Sequence, residues 1–180
     1  MPPAVDPKAP MRPLLIVLMI AAAPALAAPA HQHGVATLDV GVEPSRVMLE
    51  LDTPLDNLLG FERAPRSDAE RERAEGLVKK LKTADGLFRI DSAAGCTLGK
   101  VTLVSPVLGL GGAVPDKDGH ADLQGRFEFS CKAGNKAGFV EVGLFDAFTT
   151  LKRIDLQVVT PRGQLKATLV KPASRVALVR

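Results

Sequence analysis

Segments in which apolar and polar side chains alternate make up most of this 180-residue chain. From Val35 to Glu43 every second residue is apolar, and the residues between include threonine and aspartate. This period-two pattern is typical of a strand with one buried face. The pattern continues over residues 47–51, after the turn-forming pair Pro44 and Ser45. The two segments are therefore predicted to form a β-hairpin.

Similar alternation predicts further strands along the rest of the chain. These predicted strands cover residues 87–91, 97–105, 121–131, 139–145, 153–160 and 164–170. The last two are separated by Arg162 and Gly163, which predict the tight turn of a second hairpin. We expect an α+β fold that is predominantly antiparallel β and sandwich-like.

One segment has the helical period instead. Ser67 and Glu70 match the S-x-x-E capping box that opens many helices. The apolar positions that follow share one helical face, and they are Leu77, Val78, Leu81 and Ala84. We therefore predict one amphipathic helix at about residues 67–84, with its charged face in solvent.

Basic and apolar residues near the N-terminus have the layout of a secretory signal peptide. Lys8 and Arg12 precede the apolar stretch of residues 14–23, and small residues end at Ala27 and Ala30. We expect residues 1–30 to be removed by cleavage after Ala27 or Ala30. An apolar core of about ten residues is too short to span a bilayer, so we do not expect an integral membrane protein once the leader is removed. Residues 31–180 are predicted to form a single β-rich domain.

Composition and motifs exclude several classes of function. A net charge of +3 and the absence of Trp and Tyr argue against binding to nucleic acid. The sequence has no HExxH, GxSxG or CxxC motif, and we expect no enzymatic activity. The glycine-rich stretch at about residues 107–119 lacks the GK[ST] of a phosphate loop, so it is predicted to be a flexible loop.

Cys96 and Cys131 are the only cysteines of the chain. Export would place them in an oxidising compartment, where an even number of cysteines predicts a disulfide. We therefore predict a Cys96–Cys131 bridge, and the alternative is a reactive or metal-binding pair of thiols.

Histidine is the commonest metal ligand, and two of the three histidines follow the leader directly. If the first strand is extended backwards, His31 and His33 share its outward parity, as His120 and Asp122 do in the strand at 121–131. On adjacent strands these two pairs would offer zinc three imidazoles and one carboxylate, with Asp118 as the alternative to Asp122 for the oxygen ligand. The alternative is that the histidines belong to a frayed tail and an ordinary surface.

A second metal interpretation depends on the cleavage site. Cleavage after Ala30 would give His31 a free amine, and the imidazole of His33 would stand at the third position. Together with two backbone amides, these nitrogens suit square-planar copper(II) or nickel(II). Cleavage after Ala27 would place Pro29 second, which removes an amide hydrogen that this site requires.

Several segments together resemble the ZrgA-like family of exported bacterial proteins associated with zinc uptake, long described as a domain of unknown function. The matching segments are HQHG at 31–34, PLDNLLGFERAPRSDAERER at 54–73, CTL at 96–98, HAD at 120–122, FEFSC at 127–131, LFDAF at 144–148 and residues 154–164.

The resemblance implies a periplasmic protein that binds zinc as an accessory to uptake or as a metal reserve. Family members often carry a long His/Asp-rich insertion before the position of His120, where this chain has only GLGGAVPDKDG. They also commonly have a histidine where this chain has Arg63, which cannot act as a ligand. The alternative that these differences favour is an interaction or adaptor protein that has lost most metal binding.

Overall fold

Strands provide most of the regular structure in residues 32–111 and 121–178, the parts of the chain that this computed structural model describes. The strands are β1 Val35–Glu43, β2 Arg46–Pro54, β3 Phe88–Ile90, β4 Cys96–Val104, β5 Asp122–Cys131, β6 Phe139–Val142, β7 Arg153–Thr160, β8 Gly163–Val170 and β9 Arg175–Ala177. The α-helices are α1 Asp56–Leu59, α2 Asp68–Thr83 and α3 Leu144–Ala147.

The strands form a six-stranded sheet in the order β4-β5-β2-β1-β7-β8 and a three-stranded sheet in the order β3-β6-β9. Every strand pair is antiparallel except β1 and β7, which run parallel. The predicted hairpin of β1 and β2 is confirmed, since Glu43 pairs with Arg46 across the turn. The predominantly antiparallel α+β fold is therefore confirmed as well.

The alternation along the strands separates a buried face of the six-stranded sheet from a polar one. In β1, the side chains of Ala36, Leu38, Val40 and Val42 are buried. The register places a polar row on the opposite face, with Asp39 of β1 across from Glu50 of β2 and Asp52 of β2 across from Gln124 of β5. The core therefore lies on one side of this sheet.

Helix α2 begins where the capping box predicts. The Oγ of Ser67 accepts a hydrogen bond from the Glu70 N–H at 3.2 Å, which satisfies one amide of the first turn. The buried residues of α2 are Ala74, Leu77 and Leu81. Val78, which was predicted to share their face, is only half-buried, so the apolar face is rotated towards Ala74.

Three short elements lack a sequence signal. Helices α1 and α3 have four residues each and β9 has three, so none is long enough to show a period. The strand predicted to end at residue 145 stops at Val142, where α3 follows. The turn between β7 and β8 consists of Pro161 and Arg162, because Thr160 pairs with Gly163.

The glycine-rich stretch begins with ordered backbone. Pro106–Leu108 form a 3₁₀ turn, and the Ser105 N–H donates a hydrogen bond to the Leu110 carbonyl at 2.7 Å. The rest of the stretch, residues 112–119, lies outside the described residues. Among the helices of the described ranges, none is long and apolar enough to cross a membrane.

The predicted disulfide is confirmed and closes one end of the six-stranded sheet. Cys96 of β4 and Cys131 of β5 are paired in register and bonded to each other. The Cys131 N–H donates to the Ser45 carbonyl at 2.8 Å, and the Gly134 N–H donates to the Pro44 carbonyl at 2.7 Å. These bonds tie the β1–β2 turn to the bridge. We call this the disulfide end of the sheet.

Candidate metal site

His33 lies in a turn that immediately precedes β1, at the opposite end of the six-stranded sheet. The Val35 N–H donates a hydrogen bond to the Gln32 carbonyl at 3.0 Å, and Gly34 has a φ of 80°. The chain is therefore not extended before Val35. The backward extension of strand parity to His33 was wrong, because a glycine in the left-handed region turns the chain here.

The His33 ring lies between two carboxylates. Its Nε2 is 2.9 Å from Oε1 of Glu62, and its Nδ1 is 3.6 Å from Oδ2 of Asp56. The His33 side chain is 62% exposed, whereas that of Glu62 is 17% exposed. An accessible imidazole is thus held against a largely buried carboxylate.

Both carboxylates follow from the way the chain leaves β2. Helix α1 begins directly after that strand and places Asp56 in its first turn. Gly60 ends the helix with a φ of 78°, and its N–H donates to the Asp56 carbonyl at 2.9 Å. This left-handed cap turns the chain sharply. Glu62 follows two residues later, within reach of His33.

Arg63 faces a different partner. Its guanidinium donates two hydrogen bonds to the carboxylate of Glu70, both at 2.8 Å, and lies 5.0 Å from the centre of the Phe61 ring. The Arg63 hydrogen bonds, with one from the Arg66 N–H, lower the pKa of Glu70 to about 2. Arg63 therefore ties the segment after Glu62 to the first turn of α2.

Of the other predicted ligands, the structure places Asp122 at this end of the sheet. Asp122 opens β5 opposite Pro54, and its carbonyl accepts a hydrogen bond from Ser105 Oγ at 2.8 Å. The preceding residue, Ala121, accepts a hydrogen bond from the Leu55 N–H at 2.8 Å. The remaining predicted ligands lie outside the described residues, and they are His31, Asp118 and His120.

Two described residues beside the predicted ligands are bonded to neighbouring positions around the start of α1. Ala121, which follows His120, is bonded to Leu55. Gly34, which follows His33, is bonded to the side chain of Asn57. We call this end of the sheet, with His33, Asp56, Glu62 and Asp122, the donor end.

Within residues 32–111 and 121–178, no group of three or more His, Cys, Asp or Glu side chains is arranged to hold a metal ion. At His33, Asp56 and Glu62 lie against opposite nitrogens of the ring, so one ion cannot bind to His33 and to both carboxylates. Both cysteines are in the disulfide. A metal at the donor end would therefore bind to nitrogen and oxygen.

Sequence reasoning missed Asp56 and Glu62. Neither carboxylate belongs to a strand or long helix whose period could relate it to the histidines. Asp56 lies in a one-turn helix, and Glu62 follows the glycine that caps it. The available signal was Gly60, which lies between the two acidic residues and is typical of a chain reversal.

A second group of carboxylates lies on the polar face of the sheet. Burial, then the charges of Glu50 and Asp52, raise the pKa of Asp39. Glu50 is paired with Arg126 at 2.6 Å, and Asp52 accepts a hydrogen bond from Gln124 at 3.3 Å. Cross-strand neighbours thus partly balance this group.

Comparison with protein-family models matches residues 30–178 to the family described as ZrgA family zinc uptake protein. This match covers most of the chain and includes both ends of the sheet. The chain belongs to the ZrgA family. No curated protein matches the sequence. Family membership gives the protein a role related to zinc uptake.

Proposed function

We propose that this ZrgA-family protein binds zinc in the periplasm, as an accessory to zinc uptake or as a metal reserve. The observation that carries the proposal is the contact between Nε2 of His33 and the Glu62 carboxylate at 2.9 Å. Imidazole nitrogen and carboxylate oxygen are both common ligands of zinc. The donor end thus offers two ligands of the kind that the family role requires.

The arrangement around His33 also fits a bound ion. Zinc would lie between Nε2 and Oε1, and two tetrahedral ligands lie about 3.3 Å apart when zinc–ligand bonds are 2.0–2.1 Å long. An exposed side chain such as His33 can move by the few tenths of an ångström required. Asp56, whose Oδ2 lies 3.6 Å from Nδ1, would help to orient the ring, as carboxylates behind metal-bound histidines do.

Two further ligands would complete a tetrahedral site. We propose that they come from His31, His120, Asp122 and Asp118. The hydrogen bond between Ala121 and Leu55 supports this set, because it fixes the chain next to His120 beside the start of α1. The described residues supply only His33 and Glu62 as a close pair of ligands. We therefore expect moderate affinity, which suits a protein that hands zinc on.

The predicted leader and the disulfide support the proposed compartment, since disulfides persist in the bacterial periplasm. We propose a binding protein and not an enzyme. A zinc ion that passes through is its cargo, and the surrounding residues need only hold and release it.

An adaptor that has lost most metal binding is the second candidate. The observation that favours it is Arg63, because the family resemblance implies that a histidine is common at this position. Here that side chain is engaged with Glu70 and offers no ligand. Such an adaptor would recover the same partner protein with and without a chelator.

Calorimetric titration with zinc, on protein purified without a polyhistidine tag, tests the proposal. We expect one zinc ion per chain. His33→Ala and Glu62→Gln should each weaken binding by at least about 10-fold, because each removes a ligand. The matched controls are Gln32→Ala, next to His33, and Glu43→Gln, at the far end of β1. Both should bind zinc as the wild type does.

Each alternative gives a different result. Absence of zinc binding by the wild type would favour the adaptor. Zinc binding that neither His33→Ala nor Glu62→Gln weakens would place the ion elsewhere. The N-terminal site would instead bind copper or nickel in preference to zinc. That binding would survive Glu62→Gln, but it would be lost when one residue is added before His31.

A further inference from the structure

We infer that Asn57 is a positioning residue for zinc, which holds the His33 turn against the segment that carries Asp56 and Glu62. This inference rests on the proposed function and adds a residue that touches no metal. It concerns a side chain that is 1% exposed and lies in α1.

The amide group of Asn57 bonds to both sides of the turn after His33. Its Oδ1 accepts a hydrogen bond from the Gly34 N–H at 2.6 Å. Its Nδ2 donates to the Val35 carbonyl at 2.8 Å and to Thr53 Oγ1 at 2.9 Å. Thr53 is also 1% exposed. Hydrogen bonds shielded from water in this way are stronger than exposed ones.

Strand β7 and the residues before it hold the same turn from the other side. The Gly34 carbonyl accepts hydrogen bonds from the N–H groups of Lys152 at 2.8 Å and Arg153 at 3.0 Å. Thr150 Oγ1 donates to the Asn57 carbonyl at 2.5 Å. The residue that follows His33 is therefore fixed at both its N–H and its carbonyl.

The two halves of the proposed site thus meet through one buried amide. His33 precedes Gly34, which Asn57 binds, and Asp56 precedes Asn57 itself. Glu62 follows the helix that contains Asn57 by three residues. A shift of the turn relative to α1 would change the distance between His33 Nε2 and the Glu62 carboxylate. Metal affinity is sensitive to such shifts, because ligands bind only within narrow distance limits.

A purely structural role would give a different outcome. Asn57 could serve only to satisfy buried backbone groups, in which case its loss would lower stability alone. Positioning requires in addition that zinc affinity falls in protein that is still folded. The two roles are separated by a control that loses stability elsewhere.

The test is zinc calorimetry on wild-type protein, Asn57→Ala, Thr53→Val and Thr53→Ser, at a temperature where circular dichroism shows all to be folded. Asn57→Ala should weaken zinc binding by about 10- to 100-fold, as loss of outer partners does at other metal sites. Thr53→Val removes the hydroxyl that orients the amide, and should weaken binding less. Thr53→Ser keeps that hydroxyl and should restore binding. The visible spectrum of bound cobalt(II) should change in Asn57→Ala and in Thr53→Val, but not in Thr53→Ser.

Val140→Ala is the matched control, since Val140 is fully buried in β6 of the smaller sheet. It should lower stability and leave zinc affinity unchanged. Unchanged affinity in both Asn57→Ala and Thr53→Val would overturn the positioning role while leaving the zinc site intact. An equal loss in Val140→Ala would overturn it too, because the effect would then be general. A wild-type protein that binds no zinc would refute the proposed function itself.

Discussion

The two ends of the six-stranded sheet are held by different means. At the disulfide end, a covalent bond joins β4 to β5, and backbone hydrogen bonds tie the β1–β2 turn to it. At the donor end, the buried amide of Asn57 joins the start of β1 to α1.

The disulfide end mainly affects the stability of the fold, whereas the donor end also sets the position of the proposed zinc ligands. A disulfide stabilises chiefly by restricting the unfolded chain, and it acts without regard to side chains at the other end. The Asn57 hydrogen bonds have narrow limits of distance and angle, so they fix where His33 lies. We therefore expect changes at the disulfide end to alter stability, and changes at the donor end to alter zinc affinity as well.

The largest effect on stability should come from Cys96→Ala/Cys131→Ala. A loop of this length predicts a loss of about 3–4 kcal/mol in the free energy of unfolding, measured by urea denaturation. Zinc affinity of the folded variant should stay within about twofold of wild type, since distant sites act independently. A large loss of affinity in folded protein would show that the two ends are coupled.

Gly34→Ala should have the next largest effect, and at the donor end. An alanine would adopt the φ of 80° only with strain, and its Cβ would lie 3.3 Å from Cδ of Lys152. We expect a loss of about 1–2 kcal/mol in stability, together with weaker zinc binding. Gly41→Ala is the control, because a Cβ there meets no atom within 4 Å. Normal zinc affinity in Gly34→Ala would argue against the importance of the turn.

Arg63→Gln should change the response to acid rather than zinc binding. The lowered pKa of Glu70, about 2 against an ordinary 4.5, contributes stability above pH 4.5 that is lost as the pH falls towards about 2. Removing the guanidinium should flatten this part of the stability profile, as thermal melts at a series of pH values would show. Zinc affinity at neutral pH should be unchanged. A marked change in affinity would indicate that Arg63 supports the zinc site.

Asp39→Asn should have the smallest effect on stability, and it should raise stability where the other variants lower it. Burial and the nearby carboxylates raise the pKa of Asp39, so its ionised form opposes folding and stability falls as the pH rises through that pKa. The variant should melt at a higher temperature than wild type at pH 7. The gain should disappear below the ordinary pKa of 3.8. A variant that is less stable at pH 7 would contradict this assignment.

The sequence predicted those parts of the fold that depend on residues close together in the chain or on a count of cysteines. The β1–β2 hairpin, the start of α2 at Ser67 and the Cys96–Cys131 bridge each follow from periodicity, a cap or a cysteine count. The parallel pairing of β1 with β7 had no such signal, because it joins segments far apart in the chain.

The site was less predictable for a related reason. Strand parity cannot be carried through Gly34, whose positive φ ends the extended chain. Glu62 reaches His33 only because α1 and Gly60 reverse the chain between β2 and α2. Asn57 links these segments, but no pattern in the sequence distinguishes it from other polar residues. Its role becomes visible only in the structure, where its side chain is buried.

The most direct test of zinc binding at the donor end is a zinc titration followed by amide correlation spectra of isotope-labelled protein. We predict that resonances shift for Gln32–Gly34, for Asp56 to Glu62 and for Ala121 and Asp122, while those of Cys96 and Cys131 stay in place. Shifts confined to the disulfide end, or no shifts at a zinc concentration that saturates calorimetry, would contradict the proposed site.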